Sequence, residues 1–381
     1  MGSVRLHRNF GGQLPPVLME PRPLRDEAGA PVRLGSGRTS LVPADLDGNG
    51  RDALLMARAD GRLFAIRPSA TRDQARPPEP LRQQGSRLRL PAGAVVAVAD
   101  LDGDGDFDFV VGSASGELWI VENLGERDRA TYRFAPPAEL EAGGLPYRLS
   151  GPASPAIADW KGSDRADLIV TSAAGDVLYF RNNGGHSQPR WDRPEPIRRA
   201  GKRLALPPRV RPAVVSWTSS EHGPDLVALD DQGFLSLFPR TDIMEVGEPR
   251  ALFDPSGRAL RLDGAGPLAG QCALWAGPFL GNGDRDDLLV GLPRANRHAA
   301  AAACGLAVDS YDDLPTVLLL ENLGDDAFQP HPVSWQGRPL TAGRDGCSPA
   351  GADWAARGRM DLVVASDDGR IIVLPREELT W

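Results

Sequence analysis

The nine residues DLDGDGDFD, from Asp100 to Asp108, place carboxylates at positions 1, 3, 5, 7 and 9 and glycines at 4 and 6. They sit between two apolar runs, AVVAVA and FVVG. Five like charges so close together repel one another unless a hard cation lies between them. The spacing is that of a calcium loop, with side chains at positions 1, 3, 5 and 9 and a carbonyl at position 7. The expected ligands are therefore Asp100, Asp102, Asp104 and Asp108, with the carbonyl of Asp106. Position 12 is Val111 rather than Glu, and the short β-branched flanks read as strands, so this is not a helix–loop–helix calcium site. A solvated acidic turn is the other reading of the same residues.

The stretch recurs. LVPADLDGNGRDALLMARADGRLFAIR holds a first copy and AVADLDGDGDFDFVVGSASGELWIVENLG the second. AIADWKGSDRADLIVTSAAGDVLYFRNNGG, AVVSWTSSEHGPDLVALDDQGFLSLFPR, ALWAGPFLGNGDRDDLLVGLPR and AGADWAARGRMDLVVASDDGRIIVLPR follow. The copies begin roughly every 55 to 60 residues, near 41, 95, 154, 212, 272 and 348, the last delayed by an insertion. Each reads as strand, Asp-bearing turn, strand, Gly-containing tight turn and third strand. That period with three or four strands per unit predicts an all-β fold, a six-bladed β-propeller built as one domain over residues 1–381.

These residues resemble the FG-GAP/VCBS repeat family, the calcium-loop propellers found in integrin α-subunit heads and in bacterial surface proteins. The Asp-x-Asp-Gly-Asp-Gly turn followed by an apolar strand carries the likeness, with Glu-Asn-Leu-Gly at 122–125 and 321–324 and Arg-Asn-Asn-Gly at 181–184. The resemblance implies the fold, structural calcium and a secreted or cell-surface location. It does not select a function, because one fold hosts many.

Residues 1–40 precede the first copy, and VLMEPRPLR at 18–25 looks like the proline-rich stretches RFAPPAEL, RWDRPEPIR and ARPPEPLR that follow the third strands. The expectation is that this N-terminal segment supplies the fourth strand of the C-terminal blade and closes the ring, removing free sheet edges. VRLHRNFGG at 4–12 resembles a third strand and has no obvious place beyond an extra edge strand.

The metal turn varies between copies. The first keeps Asp45, Asp47 and Asn49 with the Arg51 carbonyl, but position 9 is Ala53 and Asp52 comes one residue early, so a second, weaker calcium site is expected there. The third keeps Asp159 and Asp167 around Lys161, and the sixth keeps Asp353 and Asp361 around Arg357. The reading is that Lys161 and Arg357 replace the metal as built-in cations, against side chains that simply point to solvent. The fourth copy, counted back eight residues from Asp225 to Trp217, has no acidic ladder, and the fifth has Phe279 or a neighbour at position 1. Trp160, Trp217, Trp275 and Trp354 align beside these turns where the first copies have Leu46 and Leu101. Recurrence at one place in the unit suggests packing between blades, with an aromatic sugar-binding surface as the alternative.

A net charge of −8 disfavours nucleic acid and anionic membranes as partners, and no apolar run is long enough to span a bilayer. No export leader is legible in MGSVRLHRNFGG, so a secreted protein would have had one removed. Three cysteines leave open one bridge with Cys304 joined to Cys272 or Cys347, or three buried thiols. No catalytic motif stands out. The long polar insertion between Pro293 and Pro315 is the candidate ligand site, through Asn296, Arg297, His298, Tyr311, Asp312 and Asp313, with a helical turn over 299–303; a cap over the ring's channel is the alternative. The functional expectation is a monomeric, calcium-stabilised, non-catalytic propeller that binds a glycan or protein outside the cytoplasm. The alternatives are a polysaccharide lyase or glycoside hydrolase, and a structural module of a larger surface protein.

Overall fold

The computed structural model describes residues 5–6 and, with short gaps, 25–374; the gaps that bear on function are 47–50, 105–106, 218–222, 282–284, 305–313 and 353–359. Among the described residues the fold is all-β, apart from a 3-10 turn at Arg294–Asn296 that runs into one short α-helix at Arg297–Ala303. That helix contains the turn expected over 299–303.

Of the seven four-stranded sheets among the described residues, six share one plan and follow one another along the chain; the seventh is part of the outer pairing described below. Their first strands are Thr39–Ala44, Val95–Ala99, Ser154–Ala158, Ala213–Val215, Ala273–Gly277 and Cys347–Ala352. Each runs antiparallel to a second strand and that to a third. In the first five sheets a fourth antiparallel strand completes the set. First strands of successive sheets lie against one another, and that of the sixth lies against that of the first.

The second strands DFVVG, DLIVT, DLVAL and DLLVG are buried along their whole length. An apolar run without alternation is what a strand covered on both faces requires. Accordingly the apolar cores lie between neighbouring sheets: one joins the first and second, another the second and third, a large one the third to fifth, and a fourth the fifth and sixth. Trp160 belongs to the large core and the partly buried Trp217 packs against it, which favours packing over a sugar-binding surface for those two. Trp354 lies outside the described residues.

The tight turn between second and third strands depends on glycine. Gly116 and Gly175 have φ of 95° and 91°, and a Cβ there would meet the carbonyl oxygens of Leu149 and Leu206 at 2.1 and 1.9 Å. The same close approach is used for binding: Leu149 N–H donates to Gly116 O and Leu206 N–H to Gly175 O. The turn is thus pinned to the connection that leaves for the next sheet.

A second set of contacts runs along the outside. Residues just after the fourth strand of one sheet pair in parallel with residues at or before the fourth strand of the next: Arg82–Gln83 with Arg133–Phe134, Ala142 with Trp191, Arg198–Arg199 with Glu245–Val246, and Phe253 with Ala327. Arg25–Asp26 pair in the same way with Gln74–Ala75. The strand beside Ile371–Leu374 is Arg5–Leu6, in parallel register with Ile372 and Val373. The edge expected for residues 18–25 is therefore met by the segment that had no obvious place; of 18–25, all but Arg25 lie outside the described residues.

All three cysteines are free thiols, so the bridge left open by the sequence does not form. Cys347 Sγ donates instead to the Thr316 carbonyl at 3.1 Å.

Candidate metal centre

The six turns between first and second strands are set by one register. The last residue of the first strand pairs with the first of the second: Ala99 with Asp108, Ala158 with Asp167, Val215 with Asp225, Gly277 with Asp287, Ala352 with Asp361 and Ala44 with Ala53. Eight residues intervene in the first, second, third and sixth turns, but nine in the fourth and fifth. Position 1 is therefore Pro278 in the fifth turn, one residue earlier than counting back from the aspartate suggests, and the fourth turn is longer by the same one residue, its first position lying outside the described residues. The end of the first strand at Gly277 also corrects the aromatic series. Phe279, bonded through its N–H to Gly277 O as Trp160 is to Ala158 O, fills that place in the fifth sheet, while Trp275 lies within the first strand.

The second turn gathers Asp100, Asp102 and Asp108, with one oxygen from each lying within 4.8 Å of the others; it is the one such acidic group among the described residues. Gly103 N–H donates to Asp100 Oδ1 at 2.7 Å and Asp104 N–H to Asp102 Oδ1 at 3.3 Å, which curls the turn around the cluster. Burial pushes the Asp108 carboxyl up to about 7, and the charges of Asp102 and Asp104 add to the rise. Asp102 is raised too, by burial and then by the charges of Asp104 and Asp100. Crowded anionic oxygens of this kind suit a hard divalent cation, so the residues fit calcium. Asp104 is exposed on the same turn, and Asp106 lies outside the described residues.

In the first turn Asp45 and Asp52 are half-buried and Arg51 is exposed, while Asp47 and Asn49 lie outside the described residues. In the third turn Lys161 is exposed, and the carboxylate of Asp159 accepts the N–H groups of Ser163 and Asp164, both at 2.8 Å. Backbone amides, rather than the expected Lys161 ammonium, take the place of a cation there. Arg357 lies outside the described residues.

The aspartate that opens the second strand has a role that sequence reading missed. Asp108 Oδ1 accepts Asn123 N–H at 2.8 Å, Asp167 Oδ1 accepts Asn182 N–H at 2.7 Å, and Asp287 Oδ1 accepts Asn322 N–H at 3.0 Å. Asp225 Oδ1 does the same with Arg240 N–H at 2.8 Å in a turn that has no acidic ladder. The side chains of Asn182 and Asn322 donate in turn to the carbonyls of Ala166 and Asp286. The clamp ties the end of the third strand to the turn, which explains the Asn in Glu-Asn-Leu-Gly. The signal was its recurrence without the rest of the ladder.

Arg240 departs from that pattern. Its guanidinium lies over the Trp160 ring at 5.0 Å, and the side chain is buried. Burial lowers its pKa, opposed by Tyr179 and by the charges of Asp225, Asp159 and Asp242.

In the long insertion of the fifth sheet, Asn296 and Arg297 are buried and His298 is exposed. Asn296 Nδ2 donates to Cys272 Sγ at 3.4 Å, so Asn296 and Arg297 serve the packing of the insertion rather than an open ligand surface. Tyr311, Asp312 and Asp313 lie outside the described residues.

Repeated antiparallel sheets with an acidic, oxygen-rich turn define a propeller-like repeat protein. Residues 100–170 match the family model of the FG-GAP-like repeat, in agreement with an FG-GAP/VCBS repeat propeller. Among solved structures, a triple arginine-to-alanine mutant of AofleA from Arthrobotrys oligospora is similar at 10% identity and TM-score 0.52, covering 94% of this chain and 93% of that one. An Agrocybe aegerita lectin that recognises non-reducing terminal N-acetylglucosamine is similar at 14% identity and TM-score 0.49, covering 99% and 91%. A Photorhabdus luminescens Tc holotoxin structure is similar at 13% identity and TM-score 0.45, over 94% of this chain, which spans 16% of the toxin chain's length. No curated protein matches this sequence.

Proposed function

We propose that this chain is a six-bladed, calcium-stabilised propeller that binds a glycan or protein ligand outside the cytoplasm. The observation that carries the reading is the convergence of Asp100, Asp102 and Asp108 on one point of the second turn. Loops of this class bind calcium at roughly 10⁻⁴ to 10⁻³ M, so they fill outside a cell and largely empty in cytosol. The six sheets would be six blades, their first strands around a common axis. Support for closure comes from the N-terminal segment, which adds Arg5–Leu6 to the last sheet and Arg25–Asp26 to the outer pairing of the first.

The test is incubation with a panel of glycans in millimolar calcium, with and without chelator, following both retention and the appearance of new chain ends. Retention without cleavage, lost with the chelator, is the expected result. New chain ends would make the protein a lyase or hydrolase and overturn a binding role. No retention on any glycan would leave a protein partner.

A further inference from the structure

The strands Arg198–Arg199 and Lys202–Arg203 form a tight hairpin at the rim between the third and fourth sheets, turned by Ala200 and Gly201 with φ of 49° and 73°. Its register sets Arg198 opposite Arg203 and Arg199 opposite Lys202. Cations directly opposite one another on a sheet are destabilising, with Cβ atoms only about 4.5–5.5 Å apart. Arg198, Lys202 and Arg203 are exposed, and none of the four basic residues forms an ion pair among the described residues. The nearest acid in the sheet, Glu245, is Arg198's neighbour in the parallel ladder, and its Oε1 accepts the Gly201 N–H at 2.9 Å. The equivalent hairpins carry less charge: Arg82 opposite Arg87 with Gln83 opposite Ser86, Glu141 opposite Pro146, and Trp335 opposite Arg338. A chain of net charge −8 thus concentrates four cations on one six-residue hairpin.

We propose that this hairpin is the docking site for an acidic glycan, a sugar chain carrying carboxylate or sulfate groups; the inference rests on the glycan-binding reading above. The planar forks of Arg198 and Arg203 match either anion bidentately. The surroundings favour a sparsely charged chain over other polyanions. Duplex nucleic acid carries a charge every ~1.7 Å along its axis and would meet the repulsion of the acidic remainder. Single strands need aromatic platforms, and the exposed large apolar residues among the described ones are Leu145, Phe253 and Leu323, none on this hairpin. A lipid surface would need an apolar anchor, whereas the tip here is Ala200–Gly201.

The experiment compares the intact protein with the double variant Arg198→Gln/Arg203→Gln, probing each with kappa-carrageenan (one sulfate per disaccharide, no carboxylate), oligogalacturonate, neutral dextran and duplex DNA at low and high salt. The expected result is retention of carrageenan or oligogalacturonate, weakened by salt, and at least tenfold weaker in the variant. Carrageenan alone would assign the anion as sulfate, oligogalacturonate alone as carboxylate. The variant's thermal midpoint should hold or rise, since a like-charge pair has been removed; a fall would mean that the arginines serve the fold. Acidic-glycan binding that survives in the variant would place the site elsewhere and overturn the inference. Retention of neutral dextran alone would leave the glycan reading standing while this inference fails. DNA held as tightly as the glycans, and lost in the variant, would replace the proposed occupant with nucleic acid.

Discussion

Asp225 and Arg240 are joined by a 2.8 Å bond from the Arg240 backbone N–H to Asp225 Oδ1, in the one sheet whose turn has lost every other position of the acidic ladder. The bond matches those of Asp108, Asp167 and Asp287, so the last aspartate of the turn is kept for the backbone and not only for a metal. Asp225→Ala leaves a buried N–H without its acceptor and should cost about 1–3 kcal/mol in a denaturant titration, with calcium stoichiometry unchanged. Asp108→Ala should lower stability and calcium content together. Equal calcium loss in both variants would contradict the distinction.

The Arg240 guanidinium over Trp160 couples the third and fourth sheets. Arg240→Met removes the cation facing Asp225 and Asp159 and should cost about 2–4 kcal/mol. In a double-mutant cycle, Trp160→Leu should be milder by about 0.5–2 kcal/mol when Arg240→Met is already present. Strict additivity in the two unfolding midpoints would show that the stack contributes nothing.

Calcium removal should lower stability through the second turn. At 1 mM calcium the bound ion should contribute about 0.4–1.4 kcal/mol, which a chelator abolishes. Asp102→Asn should remove most of that difference, seen as a thermal midpoint nearly independent of chelator. A chelator effect undiminished in this variant would locate the responsible site elsewhere.

Gly175→Ala should be among the most damaging small substitutions. The new Cβ meets Leu206 O at 1.9 Å in a backbone with φ of 91°, so the expected cost is about 2 kcal/mol or more. Gly201→Ala, with open space at its Cβ, carries only the strain of φ 73° and should cost less. Chemical denaturation of the two variants measures the difference.

Burial pushes the Cys304 thiol up to about 12. In the native protein it should resist alkylation at pH 8, while all three thiols react after unfolding. Because the native value lies above the usual one near 9, the unfolded state loses this proton first. The thiol's contribution to stability is whole below pH 9 and declines as pH rises toward 12, which alkaline unfolding curves of Cys304→Ala against the parent would reveal. Fast native alkylation would refute the burial.

The ladder at Asp100–Asp108 was legible because ligand spacing is written directly in the chain, and the strands around it because buried second strands leave unbroken apolar runs. The fourth and fifth turns were misnumbered because counting from Asp225 and Asp287 assumes a constant loop, whereas register is decided by pairing. Trp275 was grouped with the other tryptophans by residue type, whereas it lies inside the strand Ala273–Gly277 and Phe279 takes the place beside the turn. Lys161 looked like a metal substitute because its type suits the task, but backbone amides reach Asp159 first. Asn296 and Arg297 read as surface ligands because they are polar and lie in a long insertion; nothing in one sequence tells which way a polar side chain turns.

Arg5–Leu6 beside Ile372–Val373 brings the two ends of the repeat array into register with each other. The ring proposed above, joined in this way, has no privileged first unit. A circularly permuted chain, linked across that junction and opened at the exposed Gly143–Gly144 turn, would meet the same neighbours in the same order. The order of the copies along the gene is then a matter of descent, and the molecule itself keeps only their sequence around the circle.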